Sequence, residues 1–117
     1  MGKPVMRWQI LAKDAEKAAE FYTTLFEWTV NTDNALGYRM IETGSERGIQ
    51  GGIWPSPPEG HSFVQLFIEV DDVAGSVAKA AGMGATVIVP PQKLPDGDEM
   101  AIVCDPEGIP FSVFKSA

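Results

Sequence analysis

Apolar and polar positions alternate with a period of two over residues 5–12 and again over residues 63–70, and each stretch runs into an aspartate. Alternation of this kind predicts strands. After Asp14 the period changes: Ala15, Ala18, Ala19, Tyr22, Leu25 and Phe26 recur at helical spacing. Val73, Val77, Ala80 and Ala81 do the same after Asp72. Asp14 and Asp72 are suited to cap these helices, since a carboxylate accepts from the free N–H groups of a first turn and favours its positive dipole end. Gly82 and Gly84 supply a stop for the second helix. Each helix is expected to lay its apolar stripe on a sheet. Further strands are predicted over 27–32, 37–42 and 48–53 in the first half, and over 85–89, 99–104 and 109–114 in the second. Asp105-Pro-Glu-Gly108 has the residues of a type I turn in their preferred places, and Ser45-Glu-Arg-Gly48 matches it at both ends.

The two halves are a repeat. A shift of 58 positions lays Ile10-Leu-Ala-Lys-Asp14 over Ile68-Glu-Val-Asp-Asp72. A shift of 60 pairs Gly48 with Gly108, Ile53 with Val113 and Trp54 with Phe114. Each half therefore reads β-α-β-β-β. One domain over 1–117 is expected, with a first module over about 4–54 and a second over about 62–115. The segment 54–61, with three prolines, should be a stiff linker between them.

Strand parity separates two faces. Met6, Trp8, Ile10, Val64, Leu66, Ile68 and Val70 form an apolar side that should lie under the helices, joined by Ile49, Gly51, Ile53, Ile109, Phe111 and Val113. The opposite, mixed side carries Arg7, Gln9, Gln50, Trp54, Phe63, Gln65, Phe67 and Ser112. A few polar groups among aromatic walls is the make-up of a small-molecule pocket, so these eight are the expected ligand-binding residues.

Charge narrows the partners. Sixteen acidic and nine basic side chains give a formal net charge of −7, the wrong sign for neutralising phosphates, so no nucleic acid is expected. No apolar stretch is long enough to span a membrane, and the start has no secretory h-region. A single cysteine, Cys104, precludes an internal disulfide and fits a reducing compartment, so a cytoplasmic location is expected.

The helix start Lys13-Asp14-Ala-Glu-Lys-Ala-Ala-Glu-Phe-Tyr22, the second start Val70-Asp-Asp-Val73 and the terminal Asp105-Pro-Glu-Gly108 resemble the vicinal oxygen chelate superfamily. That superfamily includes glyoxalase I, extradiol dioxygenases, methylmalonyl-CoA epimerase and bleomycin-resistance proteins. The resemblance implies an α+β fold: two βαβββ modules form a curved mixed sheet around a pocket, with helices on the outer face. It also implies a homodimer. The family's metal ligands, carried over by counting from the helix caps and turn glycines, fall on Arg7, Gly52, Gln65 and Ser112. An arginine repels a cation, a glycine has no side chain, and a glutamine and a serine are weak neutral ligands, so no metal and no cofactor are expected. His61 is the one histidine and lies in the linker.

Three functions remain open at this point. The first is a metal-free binder of a small organic molecule, similar to the bleomycin-resistance branch. The second is a metal-free enzyme with Arg7 anchoring an anionic substrate, for which no catalytic base can be named. The third is a metal-dependent glyoxalase-like lyase or dioxygenase. Arg7 suits bidentate binding of a carboxylate, phosphate or enolate, or a structural ion pair. Trp54 and its repeat mate Phe114 suit stacking on a planar ligand, capping of the core or a dimer contact. Trp8 belongs to the core, Trp28 to either face, and Cys104 is a small buried hydrophobe. Pro90-Pro-Gln-Lys-Leu-Pro-Asp-Gly97 reads as a long loop, a flap bringing Lys93 to an anionic ligand or a solvated hairpin.

Overall fold

A computed structural model describes residues 2–34, 36–57 and 60–117. Residues 58 and 59, inside the expected linker, lie outside the described residues, as do residues 1 and 35. The chain is an α+β protein whose elements follow in the order β1 (Val5–Ala12), α1 (Ala15–Phe26), β2 (Thr29–Asn31), β3 (Arg39–Glu42), β4 (Gly51–Pro55), β5 (Phe63–Glu69), α2 (Val73–Gly82), β6 (Thr86–Lys93), β7 (Glu99–Cys104) and β8 (Pro110–Lys115). The order β-α-β-β-β occurs twice, as the sequence repeat predicts. Two compact units divide the chain: residues 7–65, and residues 1–6 together with 66–117.

In the unit of residues 7–65 the strands lie in the order β2-β3-β4-β1, with β4 parallel to β1 and the other pairs antiparallel. The Asp14 carboxylate accepts from Lys17 N at 3.0 Å and starts α1. Ala15 and Ala19 then pack on Ile41 and Ile53, with Trp8, Ile10, Tyr22 and Trp28 around them. Trp28 belongs to this cluster, its ring centroid 5.4 Å from that of Trp8 and 5.2 Å from that of Phe26. Trp8 lies flat across β4 because its register partner there is Gly51, where any Cβ would collide with the indole. The indole N–H donates to Ile49 O at 3.0 Å.

The second unit repeats this logic. Its strands follow the order β5-β8-β7-β6, with β5 and β8 parallel and the other pairs antiparallel. Asp72 caps α2 by accepting from Gly75 N at 2.9 Å. The helix ends in a double closure. Gly84 N donates to Ala81 O and Ala85 N to Ala80 O, a wrap that puts Gly84 at φ +99 in the left-handed region glycine favours. Val73 and Val77 seat on Ala101, Val103 and Val113, with Val70 beside them.

Several expectations are corrected. Leu25 and Phe26 are more than half exposed, because the last turn of α1 runs past the residues it covers. Met6, Val64 and Leu66, with Ile49 and Ile109, are exposed rather than covered, since each helix reaches only the later part of the strand before it. Glu27 is not in a strand; it closes α1 in a left-handed conformation at φ 59. The first half of the loop expected over 90–97 is strand: β6 continues through Pro90 and Pro91 to Lys93, which pairs with Glu99, and residues 94–98 turn back as a hairpin. β6 is the last strand in its order, so a missing N–H costs little on its open side, and the irregular register between Val89 and Gln92 accommodates the prolines on the side facing β7. No flap remains there to carry Lys93.

Gly51→Ala forces a methyl into the plane of Trp8. It should lower unfolding free energy by about 1–3 kcal/mol, as overpacking does, whereas Asp72→Ala should cost about 1 kcal/mol through the lost cap. Urea melts of both variants against the parent check the order of these effects.

Candidate functional site

On the face of the first unit away from α1, parity places Arg7, Gln9 and Leu11 on β1, Gly52 and Trp54 on β4, and Gln65 on β5. Leu11 is buried outright, and Gln9 and Gln65 are 6% and 2% exposed. Buried amides are costly unless bonded. Here they bond to each other: Gln65 Nε2 donates to Gln9 Oε1 at 2.6 Å, and Gln9 Nε2 donates to Tyr38 Oη at 3.1 Å.

Tyr38 is the residue that sequence reasoning missed. It precedes β3, held by the loop before that strand, and its side chain reaches across to β4 over Gly52. A Cβ at Gly52 would collide with the phenol, nearest its hydroxyl oxygen. The Trp54 ring lies 5.5 Å from the Tyr38 ring at an interplanar angle of 45°. The Arg7 guanidinium carbon stands 5.9 Å from the Tyr38 centroid, within cation–π range, and Arg7 Nη1 donates to Met40 Sδ at 3.7 Å. Arg7, Gln9, Trp54 and Gln65 thus gather around one phenol. Burial pushes that phenol above its ordinary 10.0, against the smaller pulls of the Gln9 hydrogen bond and the Arg7 charge. It is a neutral O–H at physiological pH.

The other expected site residues are Gln50, Phe63, Phe67 and Ser112. Gln50 is exposed just before β4, where its amide closes the β3–β4 connection: Thr43 N donates to Gln50 Oε1 at 2.6 Å, and Gln50 Nε2 donates to Thr43 Oγ1 at 3.2 Å. Phe63 opens β5, half-buried. In the second unit Phe67 and Ser112 are register partners on β5 and β8, both buried, and Phe67 packs on Phe114 with centroids 4.4 Å apart. A shallow depression of about 520 Å³ runs along α1 beside Phe21 and Leu25, rimmed by Lys17, Glu20 and Thr24. Its polar groups belong to one exposed helix face and do not converge as the Tyr38 cluster does.

A family model described as "Glyoxalase-like domain" matches residues 8–114. The chain belongs to the glyoxalase-like domain family. With it the domain joins the vicinal oxygen chelate superfamily that its motifs resemble. Curated relatives in Mycobacterium bovis and Mycobacterium tuberculosis, both described as "Putative glyoxylase CFP32", are 30% identical over 112 residues. The match takes in 93% of this chain and 42% of theirs, so the chain spans less than half the length of those relatives. Among solved structures, a protein described as NAD-dependent benzaldehyde dehydrogenase from Legionella pneumophila superposes with a TM-score of 0.66 at 18% identity, covering 94% of this chain and 97% of that one. Methylmalonyl-CoA epimerase from Streptomyces coelicolor, in complex with 2-nitronate-propionyl-CoA, gives 0.57 at 16% identity over 97% and 96% of the two chains. These likenesses are of fold.

Metal is implied by the superfamily, and the residues at the corresponding positions of this glyoxalase-like domain do not fit it. Arg7 offers only donors, Gly52 has no side chain and lies under a phenol, and Gln65 and Ser112 are neutral groups that ligate a divalent cation weakly. Among the described residues no three His, Cys, Asp or Glu side chains gather in one place.

The raised phenol carries a pH signature. Folded Tyr38 keeps its proton at pH values where the unfolded chain has released it, so its contribution to stability is intact below pH 10 and drains away as pH rises from there through the folded value. Melts from about pH 8 to pH 11 should show the parent losing stability relative to Tyr38→Phe above about pH 10. Parallel curves would remove the buried phenol as the cause.

Proposed function

We propose that this domain binds a small organic molecule through an oxyanion, without a metal, on the face bearing Arg7, Gln9, Trp54 and Tyr38. The observation that carries the reading is the half-buried Arg7 guanidinium beside the Tyr38 ring, on the face where the superfamily would place a cation. A guanidinium is a fixed positive charge with donors in a planar fork, suited to carboxylate, enolate or nitronate oxygens. Trp54 adds a flat apolar wall for the rest of the ligand. The epimerase of similar fold is described with a nitronate bound, an anionic group of this kind. A cationic cofactor and an arginine do the same electrostatic work on an oxyanion, and only one of them suits the residues present here.

Calorimetric titration of the purified domain with small carboxylates and their matching amides tests this. Carboxylates should bind and amides bind more weakly, and Arg7→Ala should weaken carboxylates by about tenfold or more, as loss of a charge-assisted bond does. Equal affinity for acid and amide, or an Arg7→Ala variant that binds as the parent does, overturns the proposal. So does a tightly held stoichiometric divalent metal whose removal abolishes binding.

A further inference from the structure

We infer that Tyr38 donates its phenolic O–H to the ligand's oxyanion and that the ligand is a planar, conjugated or aromatic carboxylate lying against Trp54. The inference rests on the binding face proposed above and assigns the hydrogen-bond donor within it. Its first support is the direction of the amide chain. Gln65 Nε2 donates to Gln9 Oε1, which commits that oxygen as an acceptor and turns Gln9 Nε2 toward Tyr38. The Tyr38 oxygen therefore accepts from Gln9, and its own hydrogen is directed away from residue 9.

The second support is preorganisation. One side chain, Asn34, holds the Tyr38 backbone at both polar groups: Tyr38 N donates to Asn34 Oδ1 at 2.9 Å, and Asn34 Nδ2 donates to Tyr38 O at 2.8 Å. Leu36 N donates to the same Asn34 oxygen at 3.1 Å. With Gln9 fixing the phenol oxygen and Gly52 making room beneath the ring, the hydroxyl is held before any ligand arrives. Donors fixed in advance in a water-poor site cost no reorganisation when an anion reaches them. Burial keeps the phenol protonated, hence a donor rather than a base. Asn34 and Gln65 act through Tyr38 and are positioning residues.

The third support is shape. The Trp54 ring beside the phenol leaves flat apolar surface next to a donor and a fixed cation. A conjugated carboxylate presents a matching plane with charge at one end.

Benzoate and benzamide serve as the probe pair, titrated into the parent domain, Arg7→Ala and Tyr38→Phe. Tyr38→Phe keeps the ring and its packing, and near-ultraviolet circular dichroism checks that the fold is retained. It should weaken benzoate by about tenfold, the size of one hydrogen bond to a charged group, and leave benzamide within about threefold. A spectroscopic readout separates contact from packing. A phenol that donates to a bound carboxylate loses its proton less readily, so saturating benzoate should move one tyrosinate absorbance transition to higher pH in the parent and not in Tyr38→Phe. If benzoate binds the parent in an Arg7-dependent way but Tyr38→Phe binds it equally and the tyrosinate transition stays put, the Tyr38 inference falls and the binding face stands. If the parent binds benzoate no better than benzamide, the binding face falls and this inference with it.

Discussion

Two adjacent residues of β4 have no side chain, and both faces of the first unit are built on that. Alternation turns consecutive positions to opposite sides of a sheet. Gly51 therefore opens space on the helix side, where the Trp8 indole lies flat and anchors the cluster of Trp28, Tyr22 and Phe26. Gly52 opens space on the other side, where the Tyr38 phenol settles beside Gln9. A methyl at either position would expel an aromatic ring, and rings are too stiff to yield by the distance required. The same backbone step supports the core on one side and the polar cluster on the other, which couples the stability of the fold to the shape of the site.

The polar cluster has an internal logic that follows from burial. Two glutamines at 6% and 2% exposure would be a liability in an apolar face, and each reduces that cost by bonding to its neighbour. A chain of amides must alternate donor and acceptor, so fixing one end sets the sense of the whole. Here that sense ends on a phenol oxygen as acceptor. The proposed site sets that phenol beside the Arg7 guanidinium and the Trp54 ring.

Much of this was legible in the sequence. The matched aspartates and turn glycines marked the repeat, and strand parity put Arg7, Gln9, Trp54 and Gln65 on one face, where the structure gathers them around Tyr38. Tyr38 falls inside the strand expected over 37–42, but outside the opening and closing strands whose parity defines the two faces; in the structure it lies one residue before β3 and reaches the site from a loop fixed by Asn34. The available signal was Gly52, since a glycine in a strand often marks a close approach by another group. Gln50 falls outside the strand because β4 begins at Gly51, three residues after the expected start, and its amide serves the connection to Thr43. Pro90 and Pro91 suggested a loop because proline is rare in strands; the exception is an edge, and edge position is a property of strand order that local pattern does not carry.

Membership in the glyoxalase-like family sets the scaffold and leaves the reaction open, because a site is a set of side chains placed on a fold rather than the fold itself. An oxyanion is stabilised by positive potential held close to it. A divalent cation supplies that with acidic and imidazole ligands around it. In the function proposed for this domain, Arg7 would supply a unit charge with no ligands needed, and a guanidinium among carboxylates and imidazoles would be a different site altogether. Replacing the cation therefore removes the reason for every other metal ligand at once. The neutral amide and the glycine at the remaining positions of this unit accord with that proposed reading, and the Tyr38 phenol occupies the space over that glycine.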